Sequence, residues 1–193
     1  KFLCSEFVTK RIIKMGEHFR ATRNYNSLCA VFSALNSAPI HRLKLCWQRV
    51  PERNRMAFDR WSQLFSRDFN HRNLRQLLRR AGGNPCIPHI GLFLQDLVFI
   101  DEGNRGKQQL SNFKNTEMLN FKKCVRIADR IKNLQLFQKH KYADTMKQNR
   151  RLQKVLLREF QKLKDVTEDH IWDMSTEIKK QDAKDNNKGL FGH

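Results

Sequence analysis

The sequence predicts an all-α fold, and three observations support that prediction. Apolar residues recur at steps of three and four along most of the chain, which is the spacing of one helix face. No stretch shows the sustained alternation of apolar and polar residues that is typical of a half-buried strand. All four prolines lie between residues 39 and 88, so the helix-breaking connections are concentrated in the middle of the chain. A length of 193 residues suits about one domain with a buried core.

Two helices are predicted before the first proline. One face of residues 1–22 carries Val8, Ile12, Met15 and Phe19. Polar residues at 23–27 interrupt this helix with side chains that are common at helix caps. The segment from Leu28 to Leu35 is almost wholly apolar, which predicts a second helix buried on both faces.

The rest of the chain is predicted to form further helices and one loop. A break at 82–85 precedes an apolar run from Ile90 to Ile100, residues 105–116 are polar and predict a loop, and residues 179–188 are expected to fray. The apolar stripes, all expected to lie in the core, are Phe58, Trp61, Leu64 and Phe65; Leu74, Leu77, Leu78 and Ala81; Phe121, Val125, Ala128, Ile131 and Leu134; Leu152, Val155, Leu156 and Leu163; and Ile171, Met174 and Ile178.

The net charge of +19 is the most pronounced feature of the composition. It admits nucleic acid, an anionic membrane surface or an acidic protein as a partner. The charge is spread evenly, since residues 1–104 hold 17 of the 38 basic and 8 of the 19 acidic residues. No dense basic block is present, so a solvated basic surface is the plainest interpretation.

The five cysteines are widely spaced and form no CxxC pair. This pattern favours neither a zinc site nor a disulfide framework, and it predicts reduced thiols in the cytosol. No apolar run approaches the ~18 residues of a membrane span. The chain begins at Lys1 within a predicted helix, which suggests a fragment of a longer protein.

Sequence signatures of catalysis are weak. The segment Gly103–Lys107 is followed by Gln108 and lacks the GxxxxGK[ST] spacing of a phosphate-binding loop. No HExxH pair or GxSxG turn is present, so hydrolase and metal-site chemistry are not expected. We therefore predict no metal and no cofactor.

Several segments match one known pattern in order along the chain. Residues 24–43 contain NYNS and SALNSAPIHRL, residues 85–104 read PCIPHIG followed by LQDLVFIDEGN, and residues 119–123 read LNFKK. Gln138 and residues 172–178 continue the match. These segments resemble the NNFN…SALNSSPVYRL, PPCIPFLG…DL.FIEEGN and LINFSKR motifs of the catalytic domain of Ras-family guanine-nucleotide exchange factors, the Cdc25-homology or RasGEF domain.

The resemblance implies a fold and a mechanical function. The family's domain is an all-helical bowl from which a helical hairpin projects, and the hairpin opens the nucleotide site of a Ras- or Rap-type GTPase without covalent chemistry. The match places the two arms at about His89–Asn104 and Thr116–His140. Residues 1–180 would be this domain without its N-terminal helices, and residues 181–193 a polar tail. The implied location is cytoplasmic, with recruitment to the anionic inner face of the plasma membrane.

The resemblance also implies a set of site residues. On the hairpin, Glu102 would act near the GTPase's phosphates and magnesium, Val98 would block the magnesium site, and Asn104 would hold a displaced switch-1 tyrosine. Gln95 would make a polar contact to switch 2. The remaining predicted contacts to the GTPase are Cys29, His89 and Asn36, of which the first two would line a pocket for a switch-2 tyrosine.

The sequence departs from the family pattern at two positions, and it also admits two rival functions. His89 stands where the family usually has an aromatic residue, and Val98 is smaller than the leucine of some members. One rival is a scaffold or regulator with this fold and no exchange activity. The other is a basic helical module that binds nucleic acid, for which salt-dependent affinity for DNA or RNA would be diagnostic.

Overall fold

The computed structural model describes residues 6–109, 117–144 and 146–190 of the chain. The regular secondary structure of this part is helical except for one short ribbon, so the predicted all-α class is confirmed. In chain order the helices are α1 (Glu6–Ala21), α2 (Tyr25–Leu35), α3 (Ala38–His41), α4 (Lys44–Gln48), α5 (Glu52–Leu64), α6 (Asp68–Arg80), α7 (Ile90–Glu102), α8 (Phe121–Gln135), α9 (Arg150–Lys162) and α10 (Glu168–Leu190). Single 3₁₀ turns occupy Leu136–Gln138 and Tyr142–Asp144.

The ribbon pairs strand β1 (Lys107–Gln109) with strand β2 (Glu117–Leu119) in antiparallel register, with Lys107 opposite Leu119. Residues 107–109 therefore contradict the predicted loop, because a short polar segment can pair through backbone hydrogen bonds without any alternation of apolar side chains. The remainder of the predicted loop, residues 110–116, lies outside the described residues.

Three asparagines determine where helices begin. The side chains of Asn24, Asn120 and Asn149 each accept a hydrogen bond from the backbone N–H three residues further on, at 3.0 to 3.2 Å. Each bond satisfies one of the N–H groups that the first turn of a helix leaves unpaired. The starts of α2, α8 and α9 are thus encoded locally.

The core of the helical body, residues 6–80, is built around Trp61. Its indole is completely buried, and its Nε1 donates a hydrogen bond of 2.8 Å to Oε1 of Glu17. The ring lies against the backbone of Gly16, where an added Cβ would come within 2.1 Å of the ring carbon Cη2. Glycine at position 16 is therefore what allows α1 to approach α5 so closely.

Several predictions of burial were wrong. In α1 the fully buried side chain is Ile13, whereas Met15 is 44% exposed, because the side of the helix that carries Ile13 and Gly16 faces Trp61. In α2, Leu28 and Leu35 are buried but the small residues Ala30 and Ala34 face outward, so that helix is buried on one face only.

The stripes on α8 and α9 are also not core. On α8, Leu134 is half-buried and the other members of the stripe are exposed, namely Phe121, Val125, Ala128 and Ile131. On α9, every residue from Arg150 to Lys162 is exposed, and the sequence pattern does not specify a covering element. Two other expectations are corrected. Cys46 is disulfide-bonded, so the cysteines are not all reduced, although Cys29, Cys86 and Cys124 are free. Helix α10 continues to Leu190 instead of fraying from Lys179.

The contact between Gly16 and Trp61 gives a testable prediction. Replacing Gly16 with alanine should lower the free energy of unfolding by about 1–3 kcal/mol, because the new methyl group must displace the buried indole. This loss should appear even though alanine favours a helix over glycine by about 1 kcal/mol. Urea unfolding of Gly16→Ala measures the change.

Gly82→Ala is the matched control, because the nearest atom to an added Cβ there is the Arg79 carbonyl oxygen at 4.0 Å. An equal stability of the Gly16→Ala and Gly82→Ala variants would contradict the proposed close approach.

Candidate functional site

Helices α7 and α8 lie side by side and antiparallel. Residues in the first half of α7 contact the second half of α8 and the 3₁₀ turn that follows it, and residues at or just after the end of α7 contact the start of α8. These pairs are Phe93 with Phe137 (ring centroids 6.1 Å apart), Asp96 with Arg130 (3.7 Å), Asp101 with Lys123 (2.6 Å) and Asn104 with Arg126 (2.9 Å). We call this helix pair, together with the described residues 103–109 and 117–120 between the two helices, the hairpin.

Asn120 fixes the junction between the ribbon and α8. Its side chain is 3% exposed, and its Nδ2 donates to the Arg105 carbonyl at 2.9 Å while its backbone N–H donates to the Gly106 carbonyl at 2.9 Å. Because Asn120 also caps α8, one buried side chain links the chain leaving α7 to the chain entering α8. The first arm thus spans α7, within the predicted range His89–Asn104. The described second arm begins at Phe121, while Thr116 lies outside the described residues.

The predicted site residues of α7 lie on its outward face. Gln95, Val98 and Glu102 follow at steps of three and four, and Phe93, on the other side of the helix, contacts the second arm. Val98 is 50% exposed and Glu102 is exposed, whereas Gln95 is half-buried. The structure therefore brings these three predicted residues together on a surface that the second arm does not cover.

Glu102 differs from the other two acids of α7. Asp96 and Asp101 form ion pairs with Arg75 and Lys123, respectively. The described residues provide no ion-pair partner for Glu102. Its carboxylate sits at the C-terminal end of a helix, where negative charge is unfavourable to the helix dipole. This position gives no gain in helix stability that would explain the acid.

Asn104 is engaged within the hairpin. Its Nδ2 donates to the carbonyl of Ile100 at 2.8 Å, and its Oδ1 accepts from Nη1 of Arg126 at 2.9 Å. The first bond satisfies a carbonyl left unpaired at the end of α7. Asn104 thus closes the tip of the hairpin, and a contact to a partner would have to exchange one of these bonds.

Cys29 and His89 meet between α2 and the start of α7. The Cys29 Sγ lies 3.9 Å from Nε2 of His89, and the imidazole lies edge-on to the ring of Phe65 with centroids 6.5 Å apart. A parallel bridge between Asn24 and Ile87 holds the two segments together. Asn36 is exposed at the far end of α2, about 10 Å along the helix from Cys29, so it does not share this pocket.

The pocket formed by Cys29, Phe65 and His89 is uncharged at neutral pH. Burial raises the pKa of the Cys29 thiol, a shift that the contact with Ser33 partly offsets. Burial lowers the pKa of His89, and the nearby His71 lowers it further. The buried Nδ1 of His89 has no hydrogen-bond partner among the described residues. Histidine here serves as a largely neutral aromatic side chain, in place of the aromatic residue that the family pattern has.

The sequence analysis did not identify Arg75 and Arg126, which contact Asp96 and the predicted site residue Asn104, respectively. Asp96 was the available signal, because a lone acid within the apolar run from Ile90 to Ile100 requires a partner wherever it is buried. Among the described residues, no three His, Cys, Asp or Glu side chains cluster so that they could hold a metal ion. No helix in the described ranges is long and apolar enough to cross a bilayer.

The depressed pKa of His89 predicts how stability depends on pH. Because the unfolded chain binds a proton on this histidine at a higher pH than the folded chain does, the free energy of unfolding should fall as the pH drops below 6.5. The loss should level off below the folded-state pKa. His89→Phe should remove this part of the pH dependence, as measured by urea unfolding between pH 7.5 and pH 5 (a range of about one to one and a half pH units around the unfolded pKa).

His18→Gln is the matched control, because it removes an exposed histidine of α1 instead of the half-buried His89. A His89→Phe protein with the same pH profile as the wild type would contradict the assignment.

Comparison of the sequence with known proteins identifies a family and several relatives. The family model of the RasGEF domain matches residues 6–125. The chain is 35% identical over 136 residues to Ras guanine nucleotide exchange factor M of Dictyostelium discoideum, covering 70% of this chain and 14% of that protein. It is 33% identical over 130 residues to Ras-specific guanine nucleotide-releasing factor 1 of Rattus norvegicus, covering 67% of this chain and 10% of that protein.

A third relative, Rap guanine nucleotide exchange factor 5 of Homo sapiens, is 32% identical over 147 residues, which are 74% of this chain and 24% of that protein. The chain thus spans less than a quarter of the length of each of these relatives. The match from residue 6 to residue 125 includes α2, the Cys29–His89 pocket, all of α7 and the tip of the hairpin. The chain therefore belongs to the RasGEF domain family.

Proposed function

We propose that this chain is a guanine-nucleotide exchange factor that binds a Ras- or Rap-type GTPase and promotes release of GDP by inserting the outward face of α7 at the nucleotide site. The observation that carries the proposal is the carboxylate of Glu102, which has no ion-pair partner within the described part of the chain and lies beside Val98 on the exposed face of the hairpin. Family membership and the names of the Ras and Rap relatives support the choice of partner.

Glu102 and Val98 would act on the nucleotide site in different ways. A carboxylate brought near the phosphates repels them and competes for the cations that hold them, which are a lysine and magnesium in the GTPase. Asp96 and Asp101 are less suited to this role, because each would first have to leave an ion pair. Val98 would fill the volume that magnesium and its ligands need.

The catalytic effect in this proposal is a difference in affinity. The exchange factor shifts the GTPase towards its nucleotide-free form only by as much as it binds that form more tightly than the loaded one. Each tenfold difference in affinity corresponds to about 1.4 kcal/mol. Binding energy from the rest of the interface therefore supports opening of the site, and no covalent step is involved.

The pocket of Cys29 and His89 would supply part of that binding energy. Its uncharged, partly aromatic walls suit an aromatic side chain from switch 2 of the GTPase. Gln95 and the exposed Asn36 would add polar contacts around it. Asn104 would receive a displaced switch-1 tyrosine after giving up its bond to Arg126 or to Ile100.

The net charge of +19 would act at longer range in this proposal. Ras- and Rap-type GTPases are lipid-anchored at anionic membranes, and each basic residue near such a surface gains about 1 kcal/mol. A positive field also speeds encounters with a partner whose contact surface is acidic. We propose that the excess charge favours these encounters and is not part of a specific nucleic-acid site.

Glu102→Ala tests the assigned role of the carboxylate. We expect the rate of GDP release from a loaded Ras- or Rap-type GTPase to fall by about tenfold or more, equivalent to at least about 1.4 kcal/mol of barrier. Because Glu102 is exposed, the free energy of unfolding should change by less than about 0.5 kcal/mol. Release of a fluorescent GDP analogue measures the rate.

Glu177→Ala, which removes an exposed glutamate of α10, is the matched control and should leave GDP release unchanged. If Glu102→Ala also leaves it unchanged, the role is refuted. If the wild type binds nucleotide-free GTPase without accelerating release, the chain is an inactive scaffold with this fold.

The charge proposal predicts a specific dependence on salt. Raising the salt concentration should lower the association rate of the GTPase several-fold, because fields between exposed charges fade within about 8 Å at physiological ionic strength. The dissociation rate of the formed complex should change little, since it depends on short-range contacts. Stopped-flow binding at several salt concentrations gives both rates. Competition by duplex DNA for the same surface would instead favour the nucleic-acid alternative.

A further inference from the structure

One carboxylate joins three helices at the base of the hairpin. Asp96 of α7 accepts two hydrogen bonds from Arg75 of α6, from Nη2 to Oδ1 at 2.6 Å and from Nη1 to Oδ2 at 2.8 Å. Arg130 of α8 lies 3.7 Å from the same Oδ2. The Asp96 and Arg75 side chains are only 12% and 19% exposed, so this ion pair is much less screened than a surface pair.

Apolar packing holds this end of the hairpin only weakly. Leu92 is the single buried side chain of α7, whose thirteen residues are all described. A cavity of about 550 Å³ lies beside the ion pair, between α6, α7 and the end of α8, and its walls include Leu78, Leu92 and Phe137. Because atoms across a cavity make no contacts, packing there does not fix the angle between the hairpin and the helical body. Directional hydrogen bonds therefore contribute more to that angle.

Arg75 also holds a strained segment of its own helix. Phe69, Asn70 and His71 all have φ between 48° and 56°, a left-handed conformation that is unfavourable for residues other than glycine. Arg75 donates from Nε to the Asn70 carbonyl at 2.7 Å and from Nη2 to Asn70 Oδ1 at 3.1 Å. One guanidinium therefore contacts both this left-handed turn and the hairpin.

We propose that Arg75 is a positioning residue for nucleotide exchange, which sets the angle of the hairpin relative to the helical body through Asp96 and couples that angle to the left-handed turn at 69–71. The effect on exchange rests on the proposed function, whereas the effect on the hairpin angle does not. Arg75 contributes no group to the outward face of α7. It acts by holding that face, with Val98 and Glu102, where the nucleotide site would meet it.

The geometry requires arginine at this position. The planar guanidinium donates to both oxygens of Asp96 and at the same time to Asn70, whereas a lysine ammonium is a single point charge that cannot span both partners in this way. Arg75→Lys keeps the positive charge and loses the pair of hydrogen bonds that the guanidinium donates to the two Asp96 oxygens. Asp96→Asn keeps an acceptor of similar shape and loses the charge. Each variant removes one feature of the pair while leaving a side chain of similar size.

The test measures hairpin dynamics and exchange separately. In Arg75→Lys and Asp96→Asn, hydrogen–deuterium exchange should become faster in peptides covering 69–75 and 90–96, while circular dichroism stays that of the wild type. The GDP release rate at saturating exchange factor should fall on the order of tenfold to hundredfold, as expected when reacting groups are misplaced by about 1 Å. The concentration for half-maximal rate should change much less, because the outward face keeps its residues.

Arg80→Ala is the matched control, since Arg80 is exposed on the same helix and lines a different surface cavity. It should leave both measurements unchanged. The inference would be overturned if Arg75→Lys had the same hydrogen-exchange rates and the same GDP release rate as the wild type. It would also be overturned if, in both variants, the loss in GDP release rate were no larger than the fraction of unfolded protein explains. If the wild type releases no GDP from any Ras- or Rap-type GTPase, the proposed function fails, while hydrogen exchange still decides whether Arg75 fixes the hairpin.

Discussion

The Asp96 carboxylate joins the hairpin to the helical body through short, directional bonds. It is nearly buried, and it receives Arg75 from the helix before the hairpin and Arg130 from the second arm. A carboxylate in such a place is stable only when it is paired, because removing its hydration costs several kcal/mol. The two arginines satisfy that requirement at one place and in one orientation. Because the carboxylate must stay paired with these arginines, the position of α7 relative to the helical body is restrained.

This restraint leaves the two sides of α7 with different properties. The inner side contacts the second arm through Phe93, and Asp101 and Asn104 are engaged near the tip. The outward side keeps Val98 half-exposed and the Glu102 carboxylate without an ion-pair partner in the described residues. A hairpin that opens the nucleotide site of a partner, as proposed, needs both properties, since it must resist being pushed back while its contact surface stays free to bind. The hydrogen bonds of Asn104 are the place where closing the tip and binding a partner would compete.

The sequence predicted the helices well and their contacts less well, and particular residues show why. The apolar run from Ile90 to Ile100 and the motif around it located α7 and its outward face, because helical periodicity and a specific motif agreed there. In α1 the adjacent isoleucines at 12 and 13 left the buried face ambiguous, and Gly16 gives no hydrophobic signal although it touches Trp61. The pattern of α9 predicted an amphipathic helix correctly but could not say what would cover it. The Arg75–Asp96 pair spans 21 residues in a chain with many arginines, so spacing alone could not identify it.

The net charge and the position of Glu102 act at different distances in the proposed mechanism. A protein of charge +19 attracts nucleotide phosphates as well as an acidic protein surface, so its long-range field alone would not favour phosphate release. Opposition to the phosphates must come from a negative group in near contact. Two like charges 4 Å apart repel by roughly 4 kcal/mol at the effective dielectric constant of a protein surface, and this repulsion fades quickly with distance. In the proposed mechanism Glu102 would meet that requirement, because it lies at the end of α7, has no ion-pair partner among the described residues and would come close to the nucleotide. The same carboxylate in an ion pair would be largely neutralised, so the lack of an ion-pair partner for Glu102 among the described residues matters more to the proposed mechanism than its charge alone.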